Sequence, residues 1–171
     1  MSMIIDGTNG LTYPGGQLEV GPLTLGTSQA STSGTSITFS GIPSWVKRIT
    51  VMFNGVSTSG TSNIQVQVGS GSVTTTGYNS GASVGATSAT ATTGFLIYIN
   101  VTAADILYGS FTVCNMTGNT WIESGIINNG GYGRVSGGVS PALSGALDRV
   151  VITTVNGTDT FDAGSINIMY E

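Results

Sequence analysis

Hydrophobic and polar residues alternate along most of the chain with a period of two. In residues 48–53, Ile49, Val51 and Phe53 share one face, and residues 63–68 repeat the pattern with glutamine at alternate positions. Because successive side chains of a strand point to opposite sides, this alternation predicts half-buried β-strands. The predicted strands cover residues 36–40, 48–53, 63–68, 95–101, 110–116, 119–127, 147–155 and 164–170.

Helical patterns are almost absent from the chain. Only residues 102–106 predict a single helical turn, with Thr102 as its cap. Asn-Gly pairs, which favour tight turns, punctuate the chain, and the pair at 156–157 predicts a hairpin between the last two predicted strands. Many strands with regular turns indicate an all-β fold, which we predict to be a jelly-roll-like antiparallel β-sandwich with an extended N-terminal β arm.

Three regions are predicted from the distribution of glycine, proline and small residues. Residues 1–26 form an attachment arm or stalk, residues 27–34 a linker, and residues 35–171 the sandwich head. The arm has short apolar runs that bury little by themselves, so we expect it to anchor the protein on other chains. The candidate anchoring residues are Ile4, Ile5, Leu11, Tyr13, Leu18 and Val20.

Two segments rich in small residues, 77–93 and 128–141, are predicted as long loops. Loops longer than about 12 residues in a compact domain are usually functional or disordered. Tyr78 and Tyr132 lie in these segments, and their glycine-rich surroundings argue against burial. The candidate ligand or subunit contacts are therefore Tyr78, Trp121, Tyr132 and Arg134, with packing in the sandwich or between subunits as the alternative.

The composition excludes several classes of function. The 171 residues include four Lys and Arg, eight Asp and Glu and no His. Without His there is no Ser-His-Asp triad and no imidazole ligand for a metal, and we predict no cofactor. The chain has no excess of basic residues to bind the phosphates of nucleic acid, so nucleic acid is not expected as a partner. No apolar run approaches the roughly 20 residues of a membrane helix, so no membrane is expected as a partner either. With so few titratable groups, we expect stability to change little between pH 5 and pH 8.

Few residues remain as candidates for chemistry. Asp159 and Asp162 are the closest pair of carboxylates, and they fit turn capping better than a catalytic pair or a Ca²⁺ site. The single Cys114 is predicted as a buried structural thiol, and Trp45 as a core or capping residue. We therefore predict that the protein is not an enzyme.

Three segments carry a resemblance to tailed-bacteriophage virion proteins. Residues 3–14 (Met-Ile-Ile-Asp-Gly-Thr-Asn-Gly-Leu-Thr-Tyr-Pro) resemble a short β-module of phage tail and fibre proteins. Residues 39–57, beginning Phe-Ser-Gly-Ile-Pro-Ser-Trp, look like the start of a domain found in the same class, and residues 147–171 look like its end. The resemblance implies a β-sandwich head, in a homotrimer, on an N-terminal attachment segment.

The leading hypothesis is a trimeric fibre or spike-like virion protein whose head binds host-surface glycan. The short segment before the linker favours an alternative, a capsid decoration or head-fibre protein held by its arm. A depolymerase and a free carbohydrate-binding module are weaker alternatives. The expected partners are sister chains, other virion proteins of tail or capsid, and host carbohydrate, and the expected location is the virion, after synthesis in the host bacterial cytoplasm.

Overall fold

A computed structural model describes residues 4–6, 10–13, 16–17 and 23–171. The strands, in chain order, are β1 (Ile4–Asp6), β2 (Gly10–Tyr13), β3 (Gly16–Gln17), β4 (Thr24–Leu25), β5 (Gln29–Ala30), β6 (Ser36–Ser40), β7 (Arg48–Thr58), β8 (Ile64–Ser70) and β9 (Ser72–Val73). They continue with β10 (Asn79–Val84), β11 (Thr87–Ala91), β12 (Phe95–Tyr98), β13 (Leu107–Thr117), β14 (Thr120–Asn128), β15 (Gly133–Val139), β16 (Arg149–Thr154) and β17 (Phe161–Tyr170).

Two antiparallel sheets stack into a sandwich. The larger sheet has the order β11-β10-β15-β14-β13-β7-β17-β4, and β5 also pairs with β17. The smaller sheet has the order β12-β8-β16-β6, with β9 on β8. All of these pairings are antiparallel, as expected for sheets that bury one face and expose the other.

The core lies between the two sheets and follows from the period-two pattern. Ile49, Val51 and Phe53 of β7 all point inward, as predicted, and are at most 4% exposed. The smaller sheet faces them with buried Val66 of β8 and Ile152 of β16. Apolar positions of both sheets therefore interdigitate, as in other sandwiches.

The eight predicted strands are all confirmed, and so is the antiparallel sandwich. The predicted 36–40 strand coincides with β6, while β7 and β13 run several residues longer than expected. Trp45 packs against this core with its ring centroid 6.0 Å from that of Tyr170, which confirms its packing role. The finer jelly-roll connectivity stays a prediction.

The two predicted long loops are wrong, because each contains strands of the larger sheet. Residues 77–93 contain β10 and β11, and residues 128–141 contain β15. Their small side chains hide the period-two pattern, yet close packing requires them. A Cβ on Gly138 of β15 would lie 2.8 Å from the Cβ of Ser80 on β10.

The predicted hairpin after residue 155 is also wrong. The Asn156-Gly157 turn forms, with the Gly157 amide 3.1 Å from the Thr154 carbonyl, but β16 joins the smaller sheet and β17 the larger one. The turn therefore carries the chain from one sheet to the other. The predicted helical turn at 102–106 is a reverse turn instead, closed by the Asp105 amide donating to the Thr102 carbonyl.

The larger sheet extends into the regions predicted as arm and linker. β4 pairs with the end of β17 and β5 with its middle. Between them, the Gly26 amide donates to the Ile168 carbonyl at 2.7 Å, and Asn167 donates to the Gly26 carbonyl at 3.1 Å. Residues 24–31 are therefore attached along one edge of the head.

Within the arm, β1, β2 and β3 pair as a separate three-stranded antiparallel sheet. Four candidate anchoring residues, Ile4, Ile5, Leu11 and Tyr13, lie on β1 and β2. Leu18 and Val20 lie outside the described residues. The anchoring role of all six stays a prediction.

Gly164 tests the close approach of β17 to β7. Its φ is +86°, and a Cβ there would lie 2.3 Å from the Gly55 carbonyl oxygen. We expect Gly164→Ala to lower the free energy of unfolding by at least about 2 kcal/mol, since it combines backbone strain with a clash against backbone atoms. Urea unfolding followed by circular dichroism measures the loss.

The matched control is Gly157→Ala. Gly157 has a φ of +68° and no atom within 4 Å of the added Cβ, so it bears the backbone strain without the clash. Its expected loss is only about 1–2 kcal/mol. Equal losses at the two positions would contradict the close approach.

Candidate functional site

Tyr132 is the most exposed large apolar side chain among residues 23–171, at 76% exposure. It lies in the short turn 129–132 between β14 and β15, at the end of the larger sheet. An aromatic ring held in water at the tip of a tight turn is available for contact with a ligand. The prediction that Tyr132 is exposed is thus confirmed, while its role in binding stays a prediction.

Asn129 fixes the shape of this turn. Its side-chain oxygen accepts hydrogen bonds from the amides of Gly131 and Tyr132, both at 3.3 Å. Its side-chain nitrogen donates to Asp105 Oδ1 at 2.8 Å, which ties the turn to the segment before β13. Side-chain bonds of this kind replace the missing backbone ladder in a turn and hold its conformation.

Arg134 lies beneath the turn and is only 5% exposed. Its guanidinium carbon lies 4.2 Å from the centre of the Tyr98 ring. It donates to the Tyr132 carbonyl at 2.9 Å and to the Ile99 carbonyl at 3.3 Å. Arg134, predicted as a ligand contact, therefore supports the backbone of Tyr132 from below, through a cation–π contact and hydrogen bonds.

Asp105 completes the network. Its Oδ2 accepts from the Tyr98 hydroxyl at 3.2 Å and from the Thr102 amide at 3.0 Å. Burial pushes the pKa of Asp105 upward, but hydrogen bonds from Asn129, Thr102 and Tyr98 outweigh it and hold the pKa below its usual value. Asp105 is therefore ionised at neutral pH and offsets the charge of Arg134 across the Tyr98 ring.

Tyr98 titrates far from neutrality. Burial raises the pKa of its hydroxyl, the cationic Arg134 opposes that shift, and the carboxylate of Asp105 adds to it. The hydroxyl therefore remains protonated and donates to Asp105 throughout the physiological range. The four groups below Tyr132 form a rigid, internally neutralised base for the exposed ring.

Tyr78 is a core residue, and the expectation that its surroundings leave it exposed is wrong. It is 2% exposed, and its ring meets Phe95 edge-on with centroids 5.0 Å apart. Its hydroxyl accepts from the Val68 amide at 2.9 Å and lies 3.0 Å from the Thr74 carbonyl, which it can donate to. Burial raises the pKa of Tyr78 to about 12, although the bond with Val68 opposes the shift.

Trp121 and Glu123 share the inner face of β14, and both are buried. Trp121 is 3% exposed, so its indole is not available to a ligand on the surface of a single chain. Glu123 Oε1 accepts from Ser136 Oγ at 2.6 Å. Glu123 Oε2 and Trp121 Nε1 have no hydrogen-bond partner among the described residues. Burial raises the pKa of Glu123 to about 7, against the smaller opposing effect of Ser136.

The remaining candidates for chemistry are engaged in local structure. Asp159 accepts from the Ser62 amide at 2.9 Å and from Asn156 at 2.7 Å, which confirms turn capping. Asp162 accepts from the Ser57 hydroxyl. Cys114 is half-buried on the outer face of β13, which corrects the prediction of a buried thiol. In residues 23–171 and the short described strands before them, no three His, Cys, Asp or Glu side chains cluster to hold a metal.

Sequence reasoning missed Tyr98, Asp105 and Asn129. Asp105 and Asn129 are 24 positions apart, and Tyr98 lies in a strand that belongs to the other sheet. The Asn129-Gly130 pair signals the turn, but no local signal gives its long-range partner. The site becomes visible only when the β14–β15 turn is placed over β12.

Comparisons with protein-family models, with curated proteins and with solved structures found no match. Over the described part of the chain, the structure contains no helix of the length and hydrophobicity needed to cross a membrane. The resemblance to phage virion proteins therefore stays an interpretation of the sequence.

Glu123 gives the protein a pH-dependent stability that the sparse charges did not predict. Its folded pKa, about 7, lies above its ordinary value of 4.5, so the folded state binds the proton more tightly than the unfolded state does. The stabilisation is complete below about pH 4.5 and is lost as the pH rises through 7. We expect the free energy of unfolding to be larger at pH 5 than at pH 8 by up to about 3 kcal/mol.

Urea unfolding at pH 5 and pH 8 measures this difference. Glu123→Gln removes the titrating group and should flatten the dependence, while Asp162→Asn, which changes an exposed carboxylate at the start of β17, should leave it in place. Equal stability of the unaltered protein at the two pH values would contradict the assignment to Glu123.

Proposed function

We propose that the protein is a structural component of a bacteriophage virion, a homotrimeric fibre or spike-like protein with an outward sandwich head. The resemblance of three segments, which bracket most of the chain, supports this proposal. The antiparallel sandwich is the head that the resemblance implies. A head with so few charges can lie close to sister chains without strong repulsion.

The exposed Tyr132 is the observation that carries a binding role for the head. Its ring lies on a base of Asn129, Asp105, Tyr98 and Arg134 that is rigid and internally neutralised. Aromatic faces stack on the apolar faces of sugars, while neutral hydroxyls and amides bond the sugar hydroxyls. Because the base is preorganised, little entropy is lost on binding. A neutral or weakly charged host-surface glycan is the ligand class that fits.

The second candidate is a capsid decoration or head-fibre protein. The small sheet of β1, β2 and β3 favours it, because three short paired strands provide a compact contact for a capsid surface. In both candidates the protein resides in the virion, acts without catalysis, and contacts other virion proteins through its arm.

Tyr132→Ala tests the glycan site. We expect binding of the purified protein to host cells to weaken at least tenfold, since the stacking ring is lost, while Tyr132→Phe keeps the ring and retains most of the binding. Val155→Ala removes another exposed apolar side chain and should have no effect. Flow cytometry with labelled protein measures the binding. Unchanged binding by Tyr132→Ala would reject the site.

Labelled electron microscopy separates the two virion locations. Antibody against residues 35–171 should mark the tail for a fibre and the capsid shell for a decoration protein. Absence of label from purified virions, with the protein present in the lysate, would reject both.

A further inference from the structure

The two outward faces of the sandwich differ sharply in character. On the smaller sheet the outward positions of β6 and β8 are polar: Ser36, Thr38 and Ser40 are exposed, and the buried Gln65 and Gln67 bond with Thr93. This is the usual alternation of apolar inside and polar outside for a sheet with one solvated face. The outer face of the larger sheet breaks this rule.

Apolar side chains are concentrated on the outer face of the larger sheet. Ile122 and Ile126 of β14 are 43% and 57% exposed, and Val135 of β15 is 50% exposed. The strand register places Val135 opposite Ile126, and Ile122 opposite Cys114.

The same side of the sheet also carries Met52 of β7, opposite Ser110, and Met169 of β17, opposite Thr50. We call this surface, from β11 to β17, the outer face.

Formal charges occur only near the two ends of the outer face among the described residues. Arg48, at one end, pairs with Glu171, and Asp162, at the other end, accepts from Ser57. Between them the outward positions are hydroxyls, amides, glycines and apolar side chains. Contact over this region would desolvate no unpaired charge, which removes the largest penalty for burying a surface.

The shape and extent of the outer face suit a protein interface. Beside the ridge of Ile126 and Val135 lies a shallow groove of about 320 Å³, lined by small residues that include Gly81, Ser83 and Gly137. Seven strands, from β11 to β17, span about 34 Å by 20 Å, or about 700 Å² in projection. Stable interfaces bury roughly 800 Å² from each partner, so the dimensions correspond.

We propose that the outer face of the larger sheet is the self-association surface of this protein, and that its occupant is a second copy of the same chain. An uncharged face with a ridge beside a groove meets its own copy without like-charge repulsion. On the smaller sheet, by contrast, the outward side chains of β6 are polar and exposed. Exposed apolar residues are therefore a specific feature of the larger sheet and not a general property of the surface. The inference rests on the proposed function only for its homo-oligomeric character.

Ile126→Asp tests the proposal at the centre of the face. Light scattering at micromolar concentration should give an oligomeric mass for the unaltered protein and a mass near the 17.3 kDa monomer for the variant. The matched control is Thr38→Asp, which places the same charge on an exposed outward position of the smaller sheet and should keep the oligomer. Thermal unfolding confirms that both variants are folded.

The reactivity of the Cys114 thiol provides a second measurement of association, which can be made on the unaltered protein. Cys114 is the single cysteine and lies half-buried on the outer face, opposite Ile122 of β14. Its reaction with a maleimide should slow at least tenfold between nanomolar and high micromolar protein, because association covers the thiol. In Ile126→Asp the rate should be independent of concentration.

A monomeric mass for the unaltered protein at micromolar concentration would overturn the inference, and so would an unchanged mass for folded Ile126→Asp or a labelling rate independent of concentration. These outcomes are distinct from failure of the proposed function. An oligomer held by this face but absent from virions would reject only the virion role, whereas a virion protein that stays assembled in Ile126→Asp would reject only the interface.

Discussion

Pairing of β7 with β13 on one side and β17 on the other organises the whole molecule. These three long strands lie side by side, and their inward residues form the centre of the core. The rest of the larger sheet is positioned from them: β14, β15, β10 and β11 extend it on one side, while β4 and β5 close it on the other. The register of one strand decides which face is buried across the entire sheet, because a shift of one residue would exchange the two faces.

That constraint explains why the sequence predicts some elements well and others poorly. Strands that bury large β-branched or aromatic residues, such as β7 and β8, have a clear period-two pattern and were predicted correctly. β10 buries only the small residues Ser80 and Ala82, and Gly138 of β15 lies too close to Ser80 to carry a side chain. The composition of β10 and β15 resembles that of a loop, and only the pairing of β15 with β14 and of β10 with β15 identifies them as strands.

Long-range pairing is the second limit of the sequence. The Asn156-Gly157 turn was located correctly, but the sheets to which its flanking strands belong depend on partners more than 80 residues away, such as β8 for β16. The candidate site follows the same rule. The exposure of Tyr132 follows from its glycine-rich turn. The burial of Arg134, in contrast, depends on Tyr98, which lies in a strand of the opposite sheet. Local composition therefore predicts the tip of the site but not its base.

The few cations of this protein are mostly committed within the chain. Arg134 lies on Tyr98, Arg48 pairs with Glu171, and Arg149 pairs with Asp148. At 0.1 M, dissolved salt largely screens exposed charges that are more than about 10 Å apart, but it has little effect on stacking, on apolar contact or on neutral hydrogen bonds. Contacts made through Tyr132 or through the outer face should therefore be insensitive to ionic strength. Binding through a surface of this kind should be equally strong at low and at high ionic strength.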